Sequence, residues 1–139
     1  MGIELPDPPK AIASYIPVKQ AGPFLFISGQ LPLKNGNIVN PGKVGESVSI
    51  SDAQNSCETA TLNALAAISD QLDKIQIVKL GVYVSSHPDF TDQHLVANGA
   101  SDLLFQIFGE KGRHSRFAVG VPSLPLNACV ELEMVAFIE

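Results

Sequence analysis

Residues 115–139, SRFAVGVPSLPLNACVELEMVAFIE, carry the clearest strand signal in the chain. Two runs alternate their apolar residues with period two, and a turn containing Pro and Asn separates them. Taken as a hairpin, the stretch sorts by face. Phe117, Val119 and Val121 then share a side with Val130, Leu132, Met134, Ala136 and Ile138, the side expected to pack against helices. Arg116, Ala118 and Gly120 share the other side with Cys129, Glu131 and Glu133. A one-residue slip would throw an apolar set onto the wrong face, so register is forced. The charged face admits two readings. It is a solvated surface with a cross-strand Arg–Glu pair, worth ~0.2–1 kcal/mol, or a shallow floor for a small anion, since Arg offers a planar fork matched to a carboxylate.

Upstream, the apolar period changes. IQIVKLGVYVSS, residues 75–86, predicts another strand, with Gly81 at a bulge or a close backbone approach. Before it, Ala53, Cys57, Ala60, Ala64, Ile68 and Leu72 recur at three- and four-residue steps, the mark of a helix capped by Ser49 or Ser51. After it, HPDFTDQHLVANGASDLLFQIFG, residues 87–109, predicts a second helix capped by Asp89 or Thr91 and ended at Gly109. Asn98-Gly99 weakens its middle, so that helix either starts late, near Gly99, or is interrupted there. YIPVKQ (15–20), FLFISGQLPL (24–33) and a brief strand within KNGNIVNPGKVGE (34–46) predict an antiparallel meander. The order β-β-β-α-β-α-β-β describes an α+β fold, a mixed and mostly antiparallel sheet with two helices on one face. The other face is left bare and needs a cover.

A chain of 139 residues is the size of one domain, spanning 1–139, with a single core. Hydrophobic residues at 45% against 17% charged leave few charges to solvate a monomer, which points to self-association. A net charge of −5 and nine scattered Lys and Arg count against nucleic-acid binding. MGIELPDPPK has neither the cationic start nor the apolar core of a signal peptide, and no run approaches the ~18 apolar residues of a membrane span. A cytoplasmic protein without a membrane partner is expected. Cys57 and Cys129 fit no zinc or redox spacing and read as buried, reduced thiols. His87, His94 and His114 lack ligand spacing, so no metal site is expected.

Several stretches together resemble the RidA-type reactive intermediate deaminases, the YjgF-like family. They are SYIPV (14–18), LFISGQLPL (25–33), the helix after Ala53, IVKLGVYVSSHPDF (77–90) and SRFAVGVPSLPLNACVELEMVAF (115–137). The Ser-Gly-Gln step, the Arg ahead of an alternating strand, the Leu-Pro turn and the final Val-Glu-Leu-Glu carry the resemblance jointly. It implies a chorismate-mutase-like fold of the bacillus type, assembled as a homotrimer whose sheets form a central barrel, with ligand clefts at the subunit interfaces. It also implies hydrolysis of reactive enamines and imines, such as 2-aminoacrylate, to the 2-keto acid and ammonia, with no metal or organic cofactor.

Carried over by position, the family's carboxylate-binding arginine falls on Arg116 and its water-activating glutamate on Glu131. Its cleft tyrosine falls on Tyr15, its ligand-contacting glycine on Gly29, and its cleft asparagine aligns with Asn98. In the implied mechanism Arg116 holds the substrate carboxylate on both oxygens. Glu131, or a backbone carbonyl acting through a water, delivers the nucleophile and shuttles the proton to ammonia. Tyr15 donates a hydrogen bond or walls the cleft. This chain departs from the family at Ala118 and Gly120, where many members carry Cys and Glu; the change argues against a thiol-dependent role and enlarges the floor. The segment VANGASDLLFQIFGEKGRH, 96–114, is also longer than the usual connection to the arginine. Two other functions stand beside the deaminase: a non-catalytic module that binds or senses small keto acids, and, less favoured, an endoribonuclease, as older family labels have it.

Overall fold

The computed structural model describes residues 2–10 and 13–139. In chain order the elements are β1 (Val18–Ala21), β2 (Phe24–Gln30), β3 (Leu33–Lys34), β4 (Asn37–Ile38), α1 (Ile50–Ala66), β5 (Ile75–Ser85), α2 (Gln93–Phe108), β6 (Ser115–Val121) and β7 (Val130–Ile138). The main sheet is ordered β1-β2-β7-β5-β6, and every neighbouring pair is antiparallel except β5 with β6. Both helices pack into one core with Leu25, Ile27, Leu80, Val82, Val84, Val130, Leu132, Met134 and Ala136, residues that share one face of the sheet. The result is the α+β layer pair expected. None of the described helices is long and apolar enough to cross a membrane.

The helices follow from local chemistry. Ser49 caps α1, its hydroxyl accepting from the Asp52 N–H at 3.1 Å. Ala53, Cys57, Ala60 and Ala64 lie fully buried along one stripe of that helix, so its axis can approach the sheet closely. The second helix runs unbroken through Asn98-Gly99. Gly99 is where the helices cross: a Cβ there would stand 2.5 Å from the Gln54 carbonyl oxygen. Packing against α1 therefore outweighs the helix penalty of glycine, ~1 kcal/mol. Gly109, at φ +62°, ends α2. Its N-cap is Asp92, without a side-chain capping bond, rather than Asp89 or Thr91.

Two expectations about the sheet fail as well, each for a physical reason. The third N-terminal strand does not extend a meander. Asn35 and Gly36 both take positive φ, +54° and +80°, and fold β3 onto β4 as a separate ribbon. The more consequential failure is the terminal hairpin. Strands β6 and β7 are not neighbours, because β5 lies between them, parallel to β6 and antiparallel to β7. A strand, a sixteen-residue helix and a strand make a parallel crossover, and residues 122–129 carry the chain past β5 through a tight turn at Pro125–Asn127.

This insertion reverses the face of β6. Arg116 pairs with Leu80 and Ala118 with Val82, on the helix-covered side, whereas Phe117 pairs with Gly81 and Val119 with Tyr83. Tyr83 in turn pairs with Glu131, and Gly81 with Glu133. Arg116 and Glu131 therefore stand on opposite faces of the sheet. The open face is rich in apolar side chains: Phe24, Phe26 and Val119 are exposed, Phe24 meets Phe137 edge to face, and Tyr83 meets Phe117 in the same way. Cys57 and Cys129 are both buried and unbridged, and burial pushes both thiols above their ordinary value.

Candidate functional site

On the open face, a bulge in β2 shapes the neighbourhood of Glu131. The β2–β7 register slips between Ile27 and Gln30, and Gly29 lies in the slip. A Cβ at Gly29 would overlap the Glu131 carboxylate, so only glycine lets that carboxylate rest against the β2 backbone. Gly29, Tyr83, Leu124, Glu131, Leu132 and Glu133 line a cleft of about 300 Å³. Partial burial, reinforced by the Glu133 charge, raises the Glu131 carboxyl above its ordinary value. The Tyr83 hydroxyl donates to Glu133 at 3.4 Å, a long contact.

Tyr15 does not line this cleft. It is 53% exposed and is tied to the same strand through its neighbours, since Ser28 donates its hydroxyl to the Ile16 carbonyl at 2.6 Å and its N–H to the Pro17 carbonyl at 2.8 Å. The serine of Ser-Gly-Gln thus anchors the Tyr15 segment, while the glycine admits Glu131.

Arg116 belongs to a different constellation, on the helix side of the edge strand β6. Its Nη1 donates to Asn98 Oδ1 at 2.9 Å and to Ser101 Oγ at 3.1 Å, and its Nη2 reaches the His94 carbonyl at 3.4 Å. The two hydrogens of Nη1 are thereby committed to α2. The Nε–Nη2 edge, which is the bidentate edge for a carboxylate, carries only the long His94 contact among the described residues. Ser101, Asp102, Phe105, Gly112, Arg113, His114 and Arg116 line a pocket of about 450 Å³ here.

Asn98, in the long segment that joins β5 to β6, is therefore brought to Arg116, and Glu131 is not. Sequence reading missed Ser101 and His114, which the same long segment supplies. For Ser101 the spacing along α2 was a usable signal, because Asn98 and Ser101 are three apart and face one way on a helix. The enlarged floor expected beside Arg116 is not open either. A Cβ at Gly120 would stand 2.7 Å from Gln93 Nε2, so the Gln93 amide fills the room, held by the Phe90 carbonyl at 2.8 Å.

Comparison with known proteins bears on the whole chain. A family model described as "YjgF/chorismate_mutase-like, putative endoribonuclease" matches residues 1–138. The chain is 39% identical over 138 residues to Protein TCP17 of Trypanosoma cruzi, covering 96% of this chain and 86% of that protein. It is 31% identical over 133 residues to a RutC family protein of Pyrococcus horikoshii, with 94% and 92% covered. A crystal structure of a protein of unknown function from Agrobacterium tumefaciens matches with a TM-score of 0.91 at 43% identity, over 99% of this chain and 87% of that one. With the family model spanning nearly every residue and these relatives aligned over most of their length, the chain belongs to the YjgF/chorismate-mutase-like family.

Proposed function

We propose that the protein hydrolyses reactive imines and enamines bearing a carboxylate, releasing the 2-keto acid and ammonia. The observation that carries this reading is the guanidinium of Arg116, held by α2 through Nη1 while its Nε–Nη2 edge makes only the long His94 contact among the described residues. A fork fixed in advance binds a carboxylate without first ordering a long side chain, and it orients the imine carbon for attack.

Glu131 supplies the proton transfers, taking a proton from the attacking water and passing it to the departing amine. One imine and one water give one keto acid and one ammonia. A carboxyl held above its ordinary value is better matched to that work near neutral pH. Because Arg116 and Glu131 lie on opposite faces of one protomer, this reading makes the site composite: the Arg116 half of one copy meets the Tyr15, Gly29 and Glu131 half of a neighbour. A homotrimer closing on itself through a heterologous interface provides such clefts, and the exposed Phe24, Phe26 and Val119 give the open face a reason to be covered.

The test follows imines generated in situ by an amino-acid oxidase. Accelerated imine decay by the wild type, abolished in Arg116→Ala, supports the reading; equal decay with both proteins ends it. A second reading, a keto-acid binding module, is favoured by the separation of clamp and carboxylate within the protomer. Arg116-dependent binding of 2-ketobutyrate with no acceleration of imine decay selects that reading. Ribonuclease activity fits the family description but has little support from a chain of net charge −5.

A further inference from the structure

Behind Arg116 runs a chain of hydrogen bonds that the proposed hydrolysis does not use. His114 Nδ1 lies 2.6 Å from the Gly112 carbonyl, an acceptor only, so Nδ1 carries the ring proton. The other nitrogen, Nε2, is then a lone pair, 2.9 Å from Ser101 Oγ, and accepts the serine hydroxyl. Ser101 Oγ in turn accepts Arg116 Nη1–H at 3.1 Å. Every donor in the series points the same way, from guanidinium to hydroxyl to imidazole to carbonyl.

The segment that makes this possible is the one joining α2 to β6. After α2 a tight turn, Gly109–Gly112, brings the Gly112 backbone onto Leu104, where a Cβ on Gly112 would overlap the Leu104 carbonyl oxygen. That contact seats the carbonyl which fixes the His114 tautomer.

We propose that Ser101 and His114 are positioning residues for Arg116, setting its guanidinium in the carboxylate-binding pose only while His114 is neutral. If His114 took a second proton, Nε2–H would donate to Ser101 Oγ, both serine lone pairs would then face cationic donors, and the serine hydrogen would lose its imidazole acceptor. Two cations would then flank one oxygen. Partial burial lowers His114 below its ordinary value of about 6.5, and Arg116 adds to the lowering, opposed by the Gly112 bond. The remaining charged groups nearby are Asp102 on α2, and Arg113, Lys111 and Glu110 at the turn. Glu110 engages Arg113 at 3.1 Å and Glu139 engages Lys111 at 2.6 Å. From β5, Lys79 lies over the Phe117 ring on the other face.

This inference rests on Arg116 being the carboxylate clamp, and the experiment separates the two. The probe is 2-ketobutyrate, its affinity measured by calorimetry from pH 5 to 8. Ser101→Ala and His114→Ala weaken binding about tenfold at neutral pH, the loss expected for one charge-assisted hydrogen bond. His114→Gln, whose amide oxygen can accept from Ser101, keeps near wild-type affinity but loses the fall in affinity that the wild type shows as pH drops through the His114 pKa. Affinity that rises in acid, or a His114→Gln variant that keeps the pH dependence, overturns the proposal. If the wild type binds no 2-ketobutyrate, the clamp reading fails by itself, and the relay is still tested by NMR titration of His114. Its pKa rises in Arg116→Gln if the two groups are coupled as described; an unchanged value overturns the relay.

Discussion

The surroundings of Arg116 and of Glu131 are built on different principles. Arg116 stands at a sheet edge yet is the best-tethered charge among the described residues, with Asn98, Ser101 and the His94 carbonyl all accepting from it. Glu131 stands near the middle of the sheet with backbone on one side and a second carboxylate on the other, and nothing there favours its charged form. One environment fixes an orientation, whereas the other tunes a protonation state. A clamp needs the first and a proton carrier needs the second.

The sharpest way to break this contrast is to remove each partner in turn. Arg116→Ala loses two charge-assisted contacts to the substrate carboxylate, so imine hydrolysis falls ~100-fold or more, read as kcat/KM. Mixing that variant with Glu131→Gln tests the composite site. If each cleft takes Arg116 from one copy and Glu131 from the next, co-refolded mixtures regain about a quarter of wild-type activity, since one pairing in four restores both groups. No recovery rules out a cleft shared between Arg116 of one copy and Glu131 of the next and removes the division of labour.

Smaller changes sharpen the comparison. Gly29→Ala pushes a methyl into the Glu131 carboxylate, which can swing away because it ends a flexible side chain. Activity drops about tenfold while thermal stability barely moves, the signature of a displaced catalytic group. Gly99→Ala does the reverse. Its methyl meets the Gln54 backbone, which cannot swing, so denaturation shows a loss of ~1–3 kcal/mol with the activity per folded molecule intact.

The smallest effect separates the two regions by pH. The Glu131 carboxyl is raised in the fold, so the folded state holds the extra proton, and stability declines as pH rises from the ordinary carboxylate value through the raised one. His114 is lowered, so the unfolded state binds the extra proton and stability declines as pH falls below about 6.5. Glu131→Gln therefore removes the first dependence and His114→Gln the second, each visible as a flattened profile of melting temperature against pH.

Much of the fold was legible in residues 115–139 and the segments before it. Period-two alternation marked β6 and β7, the Ala-rich stripe marked α1, and the family motifs named Arg116 and Glu131 as the groups of interest. Face sorting went wrong through a single assumption, that strands adjacent in sequence are adjacent in space. Alternation tells which residues of one strand share a side, but it carries no information on which strand lies next door. The signal that could have corrected it was the β5-α2-β6 succession, since a strand, a long helix and a strand make a parallel crossover.

The sequence by itself determined the elements, the family, and the identity of the charged residues, because propensity, periodicity and motif are local properties. Only the tertiary structure decided which of those residues meet. By inserting β5 between β6 and β7, it put Arg116 on the helix side with Asn98, Ser101 and His114, and left Glu131 against Gly29 on the open face. The reason is geometric: a side chain's face follows from the strand it sits on, but its neighbours follow from strand order, which the core settles by burying β5 between β7 and β6.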